Sequence, residues 1–158
     1  MIITKICGNL ANTSLRANLD LDYIELEWFE LNKRIMRKTT RNNLEIGINI
    51  SENGFSFNDQ DILFDDGVKA IIVKVIPTKC IAINPASKSE LAVVCYELGN
   101  RHASLFIDEN NPERLLVPFD QPMLVLLKKI LAGVEVVDAR LVKPLTGHKN
   151  ISHEHHHH

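Results

Sequence analysis

Apolar and polar residues alternate along most of the first half of the chain, which is the pattern of half-buried β-strands. Ile24, Leu26 and Trp28 alternate with glutamates, and after Trp28 the apolar positions shift by one residue, which predicts a bulge or turn there. Short strands separated by regular turns predict a β-rich domain over residues 1–76, built as a small open barrel or sandwich. The predicted strands lie near 2–6, 24–28, 35–40, 44–50, 62–64 and 68–76.

Two hairpins are predicted from turn residues within this domain. Arg41-Asn42-Asn43 separates the strand that ends at Thr40 from the strand that begins at Leu44, so these two strands should pair. Asp66-Gly67 is a second turn signal and separates the last two predicted strands.

The pattern changes after Pro77, where short apolar runs alternate with segments of helical period. The order over residues 77–146 is strand, helix, strand, strand, helix, strand, which is the ferredoxin-like βαββαβ pattern. The whole chain is therefore predicted to be an α+β protein of two domains. The predicted strands of the second domain lie near 80–83, 105–107, 115–117 and 134–142, and its helices run from 87 to 98 and from 120 to about 130.

Glycines are predicted to end both helices. Gly99 follows the last apolar residue of the first helix, where a helix commonly ends in a left-handed turn that glycine adopts at low cost. Gly133 should stop the second helix, which Asp120 caps at its start with Pro122 in its first turn. Beyond the last strand, residues 147–158 have no apolar periodicity and are predicted to form a disordered, histidine-rich tail.

Composition excludes several classes of function. The 158 residues carry a formal net charge of −2, which gives no electrostatic reason to expect nucleic acid or an anionic membrane as partner. No apolar run approaches the ~20 residues that cross a bilayer, and the N-terminus lacks a signal-peptide pattern. The three cysteines, Cys7, Cys80 and Cys95, show no paired spacing and indicate reduced thiols in the cytoplasm.

Histidines form the candidate metal site. The stretch Tyr96-Glu97-Leu98-Gly99-Asn100-Arg101-His102 places His102 just beyond a predicted helix end. Arg101, beside it, is expected to pair with a carboxylate or to pack at a subunit interface. One imidazole on the body and a cluster of imidazoles on a tail suggest a metal site. The tail imidazoles are His148, His153, His155, His156, His157 and His158.

This heptapeptide resembles the signature of the UreE family of urease accessory proteins, which are nickel metallochaperones. Segments 23–28, 33–38 and 61–63 are similar to the N-terminal domain of that family. Ser104 stands where many members have proline. Residues 115–118 lack the accessory histidine pair of some members, so that pair is not transferred to this chain.

The resemblance implies a β-rich, peptide-binding N-terminal domain and a ferredoxin-like domain that binds metal and forms a homodimer. It also implies that His102 is the nickel ligand at the dimer interface. The GTPase UreG, within the urease accessory complex, is the implied recipient of nickel. One histidine per chain cannot complete a site of about four to six ligands, but a twofold axis presents His102 twice. Tail imidazoles or water would supply the remaining ligands.

Several alternatives stay open at this stage. The tail is either native or partly a purification tag, and Glu154, which interrupts the terminal histidines, favours a native tail. The leading hypothesis is a homodimeric nickel metallochaperone without catalytic residues, in which zinc or copper also bind the imidazoles. A second hypothesis is a peptide-binding module whose tail buffers zinc or copper. A metal-dependent hydrolase that uses His102 is disfavoured because no second histidine or carboxylate pattern accompanies it.

Overall fold

The computed structural model describes residues 1–15 and 17–145. These residues fold into two compact units, Met1–Ile76, called the N-terminal unit, and a C-terminal unit that begins at Pro77. Among the described residues, the N-terminal unit contains strands and one 3-10 helix, whereas the C-terminal unit combines strands with two α-helices. The predicted α+β composition with a β-rich first part is confirmed. The predicted tail at 147–158 lies outside the described residues.

The N-terminal unit consists of two sheets that share one buried apolar cluster. One sheet has the strand order β1-β5-β4 and the other β2-β6-β7-β3. Ile24 of β3, Ile46 of β5 and Ile71 of β7 belong to the same buried apolar cluster, so both sheets pack on a shared core. The strands are β1 Ile2–Ile3, β2 Gly8–Asn9, β3 Asp20–Leu26, β4 Ile35–Thr39, β5 Glu45–Asn49, β6 Asp61–Asp65 and β7 Lys69–Val75.

Strand pairing in this unit is partly local and partly remote. β4 and β5 form the predicted antiparallel hairpin, with Ile35 opposite Asn49 and Thr39 opposite Glu45. β6 and β7 form the second predicted hairpin. By contrast, β1 pairs with β5 and β3 pairs with β7 in parallel, across long stretches of sequence.

A 3-10 helix lies where the apolar parity shifts. It spans Trp28–Glu30, so the predicted interruption is a helical turn. The backbone N–H of Glu27 donates to the Glu30 carboxylate at 2.9 Å, which closes a capping box. Lys38 Nζ, on β4, donates to both oxygens of the same carboxylate. Glu30 therefore connects the turn to β4.

Asp22 is a fully buried carboxylate in β3. Its Oδ1 accepts hydrogen bonds from the backbone N–H groups of Tyr23, at 2.8 Å, and of Asn42, at 3.1 Å, and Lys69 Nζ lies 3.6 Å from Oδ2. Burial alone would raise the pKa of Asp22. Hydrogen bonds from the Thr40 side chain and from the two backbone amides, together with the Lys69 charge, hold this pKa below its ordinary value. Asp22 thus anchors the β4–β5 turn to β3.

Replacing Asp22 with asparagine should make the N-terminal unit less stable at neutral pH and less sensitive to acid. Because the folded pKa lies below the unfolded value of about 3.9, the ionised carboxylate stabilises the fold above that pH, and this stabilisation is lost as pH falls through the folded pKa. We expect a loss of about 1–3 kcal/mol at neutral pH and a shallower decline from about pH 5 downward. Urea unfolding followed by Trp28, the single tryptophan, measures both.

Asp20→Asn is the matched control, because Asp20 lies on the same strand and is exposed. Its acid profile should follow that of the unmodified protein. Identical acid profiles for the Asp22→Asn variant and the unmodified protein would contradict the role assigned to Asp22.

The C-terminal unit is a four-stranded antiparallel sheet with helices on one face. The sheet order is β11-β8-β10-β9, with β8 and β10 in the centre. Ile81 of β8 and Val117 of β10 form a buried cluster with Leu98 and Leu127 of the two helices. Neither helix is long and apolar enough to span a membrane, within the described ranges. The elements are β8 Thr78–Ile83, α1 Lys88–Asn100, β9 Phe106–Asp108, β10 Asn111–Pro118, α2 Gln121–Ile130 and β11 Val134–Ala139.

The start of α2 is as predicted, but its end has a different cause. The Asp120 carboxylate accepts the N–H of Met123 at 2.9 Å and caps the helix, which confirms the expected cap. The helix has already ended at Leu131, which is extended, so the prediction that Gly133 stops it is wrong. Gly133 is instead a point of close approach. A β-carbon there would overlap the carbonyl oxygen of Asn84, whose N–H donates to the Gly133 carbonyl at 2.8 Å.

Candidate metal centre

The end of α1 presents His102 in an unusual backbone conformation. The prediction that Gly99 ends the helix in a left-handed turn is wrong, because α1 continues through Gly99 to Asn100 and Arg101 is its C-cap. The left-handed residue is His102 itself, with φ of 52°. Histidine is among the residues that adopt this region more readily than most, although glycine does so at lower cost.

Two hydrogen bonds fix this turn. The N–H of Ala103 donates to the Leu98 carbonyl at 3.0 Å, and the N–H of His102 donates to the Gly99 carbonyl at 3.1 Å. This pair of bonds is the Schellman arrangement, in which His102 takes the place usually held by glycine. Ala103 also packs against the buried cluster that contains Leu98. The backbone of His102 is thus held on both sides while its side chain is exposed.

Arg101 pairs with a carboxylate, one of the two alternatives expected from the sequence. Its Nη1 lies 2.7 Å from the Glu97 carboxylate, one helical turn earlier, and also donates to the Glu97 carbonyl at 3.3 Å. Both side chains are partly exposed, so the pair contributes only about 0.3–0.5 kcal/mol. Its structural effect is to close the last turn of α1 beside His102.

The described residues supply one imidazole to this site and no complete metal cluster. No group of three or more histidine, cysteine, aspartate or glutamate side chains converges anywhere in residues 1–15 and 17–145. Cys80 is fully buried, and burial raises the pKa of its thiol to about 11, so it stays protonated and is a poor ligand. The other predicted ligands lie outside the described residues: His148, His153, His155, His156, His157 and His158.

The segment that precedes the tail lies beside the strand that follows His102. After β11, the Lys143 carbonyl accepts the N–H of Ile107 at 2.9 Å, and the N–H of Leu145 donates to the Leu105 carbonyl at 2.9 Å. Leu145 is the last described residue, and Leu105 is three positions after His102. Three extended residues span at most about 10 Å, so Leu145, hydrogen-bonded to Leu105, lies in the neighbourhood of His102.

This pairing was missed from the sequence, which predicted one strand from 134 to 142. β11 ends at Ala139, and the following segment returns along β9, where Pro144 bridges Phe106. Proline is common at such edges because it lacks the N–H that a central strand needs. The short run of apolar residues around Pro144 was the signal in the sequence that could have predicted this additional pairing.

An apolar strip on α1, which we call the α1 strip, leads toward His102. It consists of Ala92, Val93, Tyr96 and Gly99, which recur at helical spacing and are all exposed; Tyr96 is 68% accessible. Gly99 has nothing within 4 Å of the position that a β-carbon would take. Among the residues that the structure describes, the strip has no partner, and it ends three residues before His102.

Comparison with known proteins covers both units. Residues 3–75 match the family described as UreE urease accessory protein, N-terminal domain, and residues 78–158 match its C-terminal domain. A urease accessory protein UreE from Acetivibrio thermocellus is 35% identical over 158 residues, which covers 99% of this chain and 100% of that protein. The urease accessory protein UreE of Flavobacterium johnsoniae is 37% identical over 141 residues, which covers 89% of this chain and 83% of that protein. The urease accessory protein UreE of Helicobacter pylori strain P12 is 36% identical over 142 residues, which covers 89% of this chain and 82% of that protein.

Proposed function

The chain belongs to the UreE family of urease accessory proteins, and from that premise we propose that it is a homodimeric nickel carrier that supplies the metal during assembly of the urease active site. The observation that carries this proposal is the family match over both units, together with a relative of equal extent. An accessory protein of this kind serves the maturation of an enzyme and is not itself a catalyst. Its place of action would be the cytoplasm, in agreement with three free cysteines.

His102 is the proposed anchor for nickel. It is exposed, its backbone is fixed by two hydrogen bonds, and it is the one imidazole in the described part of the chain. A single imidazole cannot hold an ion tightly, so the site needs a second copy of His102 across a twofold axis. The α1 strip supports such a dimer, because it is apolar and ends beside His102. Gly99 offers room there for a close approach of the second helix.

The tail is the proposed source of further ligands. The hydrogen bond between Leu145 and Leu105 starts the tail near His102, and His148 is only three residues beyond Leu145. Imidazoles tethered at this distance have an effective concentration in the millimolar range. The family match extends to residue 158, which supports a native tail over a purification tag.

This arrangement suits a carrier that must release its metal. Nickel held by two fixed imidazoles and exchangeable tail imidazoles or water can be passed on by stepwise replacement of the tail ligands. The proposed recipient is the GTPase UreG within the urease accessory complex. Zinc and copper also bind imidazole sites, so nickel selectivity in the cell follows metal availability as well as site geometry.

Removing residues 147–158 should lower the number of nickel ions bound per dimer and weaken the tightest one by at least about tenfold without abolishing it. The remaining pair of His102 side chains keeps a partial site, and water fills the vacated positions. Nickel titration by calorimetry, with the oligomeric state measured in parallel by light scattering, tests this.

The matched control replaces the tail histidines with serine at unchanged length, which keeps the chain length but removes the ligands. It should behave like the truncated protein. If truncation changes neither stoichiometry nor affinity, the tail has no role in metal binding. If the tail-deleted protein binds no nickel, and nickel binding by the full chain does not depend on dimer formation, the tail alone binds the metal. The protein would then be a module whose tail buffers metal, and the proposed site shared by two His102 side chains would be wrong.

A further inference from the structure

An asparagine–glycine pair forms an exposed turn after β5. Asn53-Gly54 is the one place in the sequence where glycine follows asparagine. Both residues lie in a turn, and residues 51–54 are all exposed. The chain on either side is buried, since Ile50 is 4% accessible and Phe57 is 1% accessible. The pair is therefore open to solvent on a short segment whose two ends are held by the core.

This pair brings a nucleophile and an electrophile together on neighbouring residues. The backbone nitrogen after an asparagine can attack the side-chain amide carbon and close a five-membered ring. A side chain on the following residue hinders this approach, and glycine has none. Nothing lies within 4 Å of the position that a β-carbon of Gly54 would take. Within the described residues the N–H of Gly54 donates to no protein acceptor, so no such bond holds its nitrogen away from Asn53.

A guanidinium already contacts the side chain that would react. Arg34 Nη1 donates to Asn53 Oδ1 at 3.1 Å, and also to the carbonyls of Ser51, at 3.1 Å, and of Glu52, at 3.4 Å. Among the residues that the structure describes, Arg34 has no carboxylate as partner. An aspartate at position 53 would place a charged oxygen where the amide oxygen now lies. The neutral hydrogen bond to Arg34 would then become an ion pair.

We propose that Asn53 is a site of non-enzymatic deamidation and that Arg34 binds the aspartate that forms. First, the Gly54 nitrogen bonds to Asn53 Cγ, the bond from Cγ to the side-chain nitrogen breaks, and ammonia leaves with the proton of the Gly54 amide. Water then opens the cyclic imide. Cleavage of the new Cγ–N bond restores the backbone and gives aspartate, whereas cleavage of the original peptide C–N bond gives isoaspartate.

The consequence is a negative charge that appears on the N-terminal unit without an enzyme. Because the buried residues at both ends of the segment stay in place, the fold should persist after the conversion. The proposal does not depend on nickel binding or on His102, so each can fail without the other.

Mass spectrometry of the full-length protein during incubation at mildly alkaline pH tests the site. The peptide that contains Asn53 should gain about 1 Da in ordinary water and about 3 Da in heavy-oxygen water, because one oxygen comes from solvent. Asn42 and Asn43 are the internal control, since both are exposed but are followed by residues that carry side chains. They should react at least about tenfold more slowly. Equal rates at the two turns, or no mass gain at Asn53, would overturn the proposal.

Gly54→Ala tests the role of the following residue. The new methyl group hinders ring closure, so conversion of Asn53 should slow by about tenfold in a variant whose folding is checked by circular dichroism. An unchanged rate in the folded variant would contradict attack by the backbone nitrogen. The comparison of Asn53 with Asn42 and Asn43 in the unmodified protein decides the same point if the variant does not fold.

Four proteins test the ion pair with Arg34: the unmodified chain, Asn53→Asp, Arg34→Gln and the double variant. Asn53→Asp alone should raise the Tm by about 1–4 °C at low salt, and the rise should shrink at high salt. In the Arg34→Gln background the same substitution should give no rise, because the cation is absent. Equal Tm changes in the two backgrounds would overturn the assignment of Arg34.

Discussion

A His102→Gly variant should lose the tight nickel site and gain stability at the same time. In the proposed dimer each shared ion would lose two imidazoles, so nickel affinity should fall by at least about a hundredfold. The fold should gain about 0.5–1 kcal/mol, because glycine adopts the left-handed conformation of this residue without the steric cost that a side chain carries. Nickel calorimetry and thermal unfolding of the metal-free protein measure the two effects.

His102→Ala separates these two effects. Alanine removes the imidazole but keeps the steric cost of the left-handed turn, so nickel binding should fall equally and stability should not rise. Unchanged nickel stoichiometry and affinity in both variants would exclude His102 as the ligand. Equal stability of the two variants would contradict the conformational argument and leave the metal argument untouched.

The Gly133→Ala variant should destabilise the C-terminal unit by about 2–4 kcal/mol. The new methyl group would overlap the carbonyl oxygen of Asn84, and both residues belong to backbone that is held by a 2.8 Å hydrogen bond. To remove this overlap, the connection between α2 and β11 would have to move away from β8. That movement would disturb the packing of the connection against β8. Thermal unfolding monitored by far-ultraviolet circular dichroism detects the loss.

Gly47→Ala is the matched control, since a β-carbon there makes ordinary contacts with Ile2 Cγ1 at 3.7 Å and with the Met1 carbonyl oxygen at 3.8 Å. Its stability should stay within about 0.5 kcal/mol of the unmodified protein. A Gly133→Ala variant as stable as the control would show that the Asn84 backbone can move away from the new methyl group without a loss of stability.

Local patterns in the sequence identified the local elements. The hairpin of β4 and β5 was predicted because alternation and a polar turn at 41–43 specify neighbouring strands. The cap at Asp120 was predicted because its carboxylate acts on the next turn of the chain. The parallel pairs β1–β5 and β3–β7 were not predicted, because strand alternation does not encode which remote strand is the partner.

The two glycine predictions failed for a related reason. Gly99 and Gly133 both follow apolar helical patterns, and sequence alone does not distinguish a left-handed glycine from one inside a helix or one at a close contact. The heptapeptide identified His102 as the candidate ligand. That His102 itself forms the turn, and that the chain returns to Leu105 before the tail, depends on tertiary hydrogen bonds.

The left-handed turn at His102 also has a consequence for directed evolution. A library screened for thermostability alone would favour glycine or asparagine at this position, since both adopt the conformation more easily than histidine. Such a screen would enrich well-folded proteins that have lost the proposed ligand. A search for stabilised variants at this position therefore needs a simultaneous screen for nickel, because the left-handed turn favours glycine or asparagine whereas the proposed nickel site requires histidine.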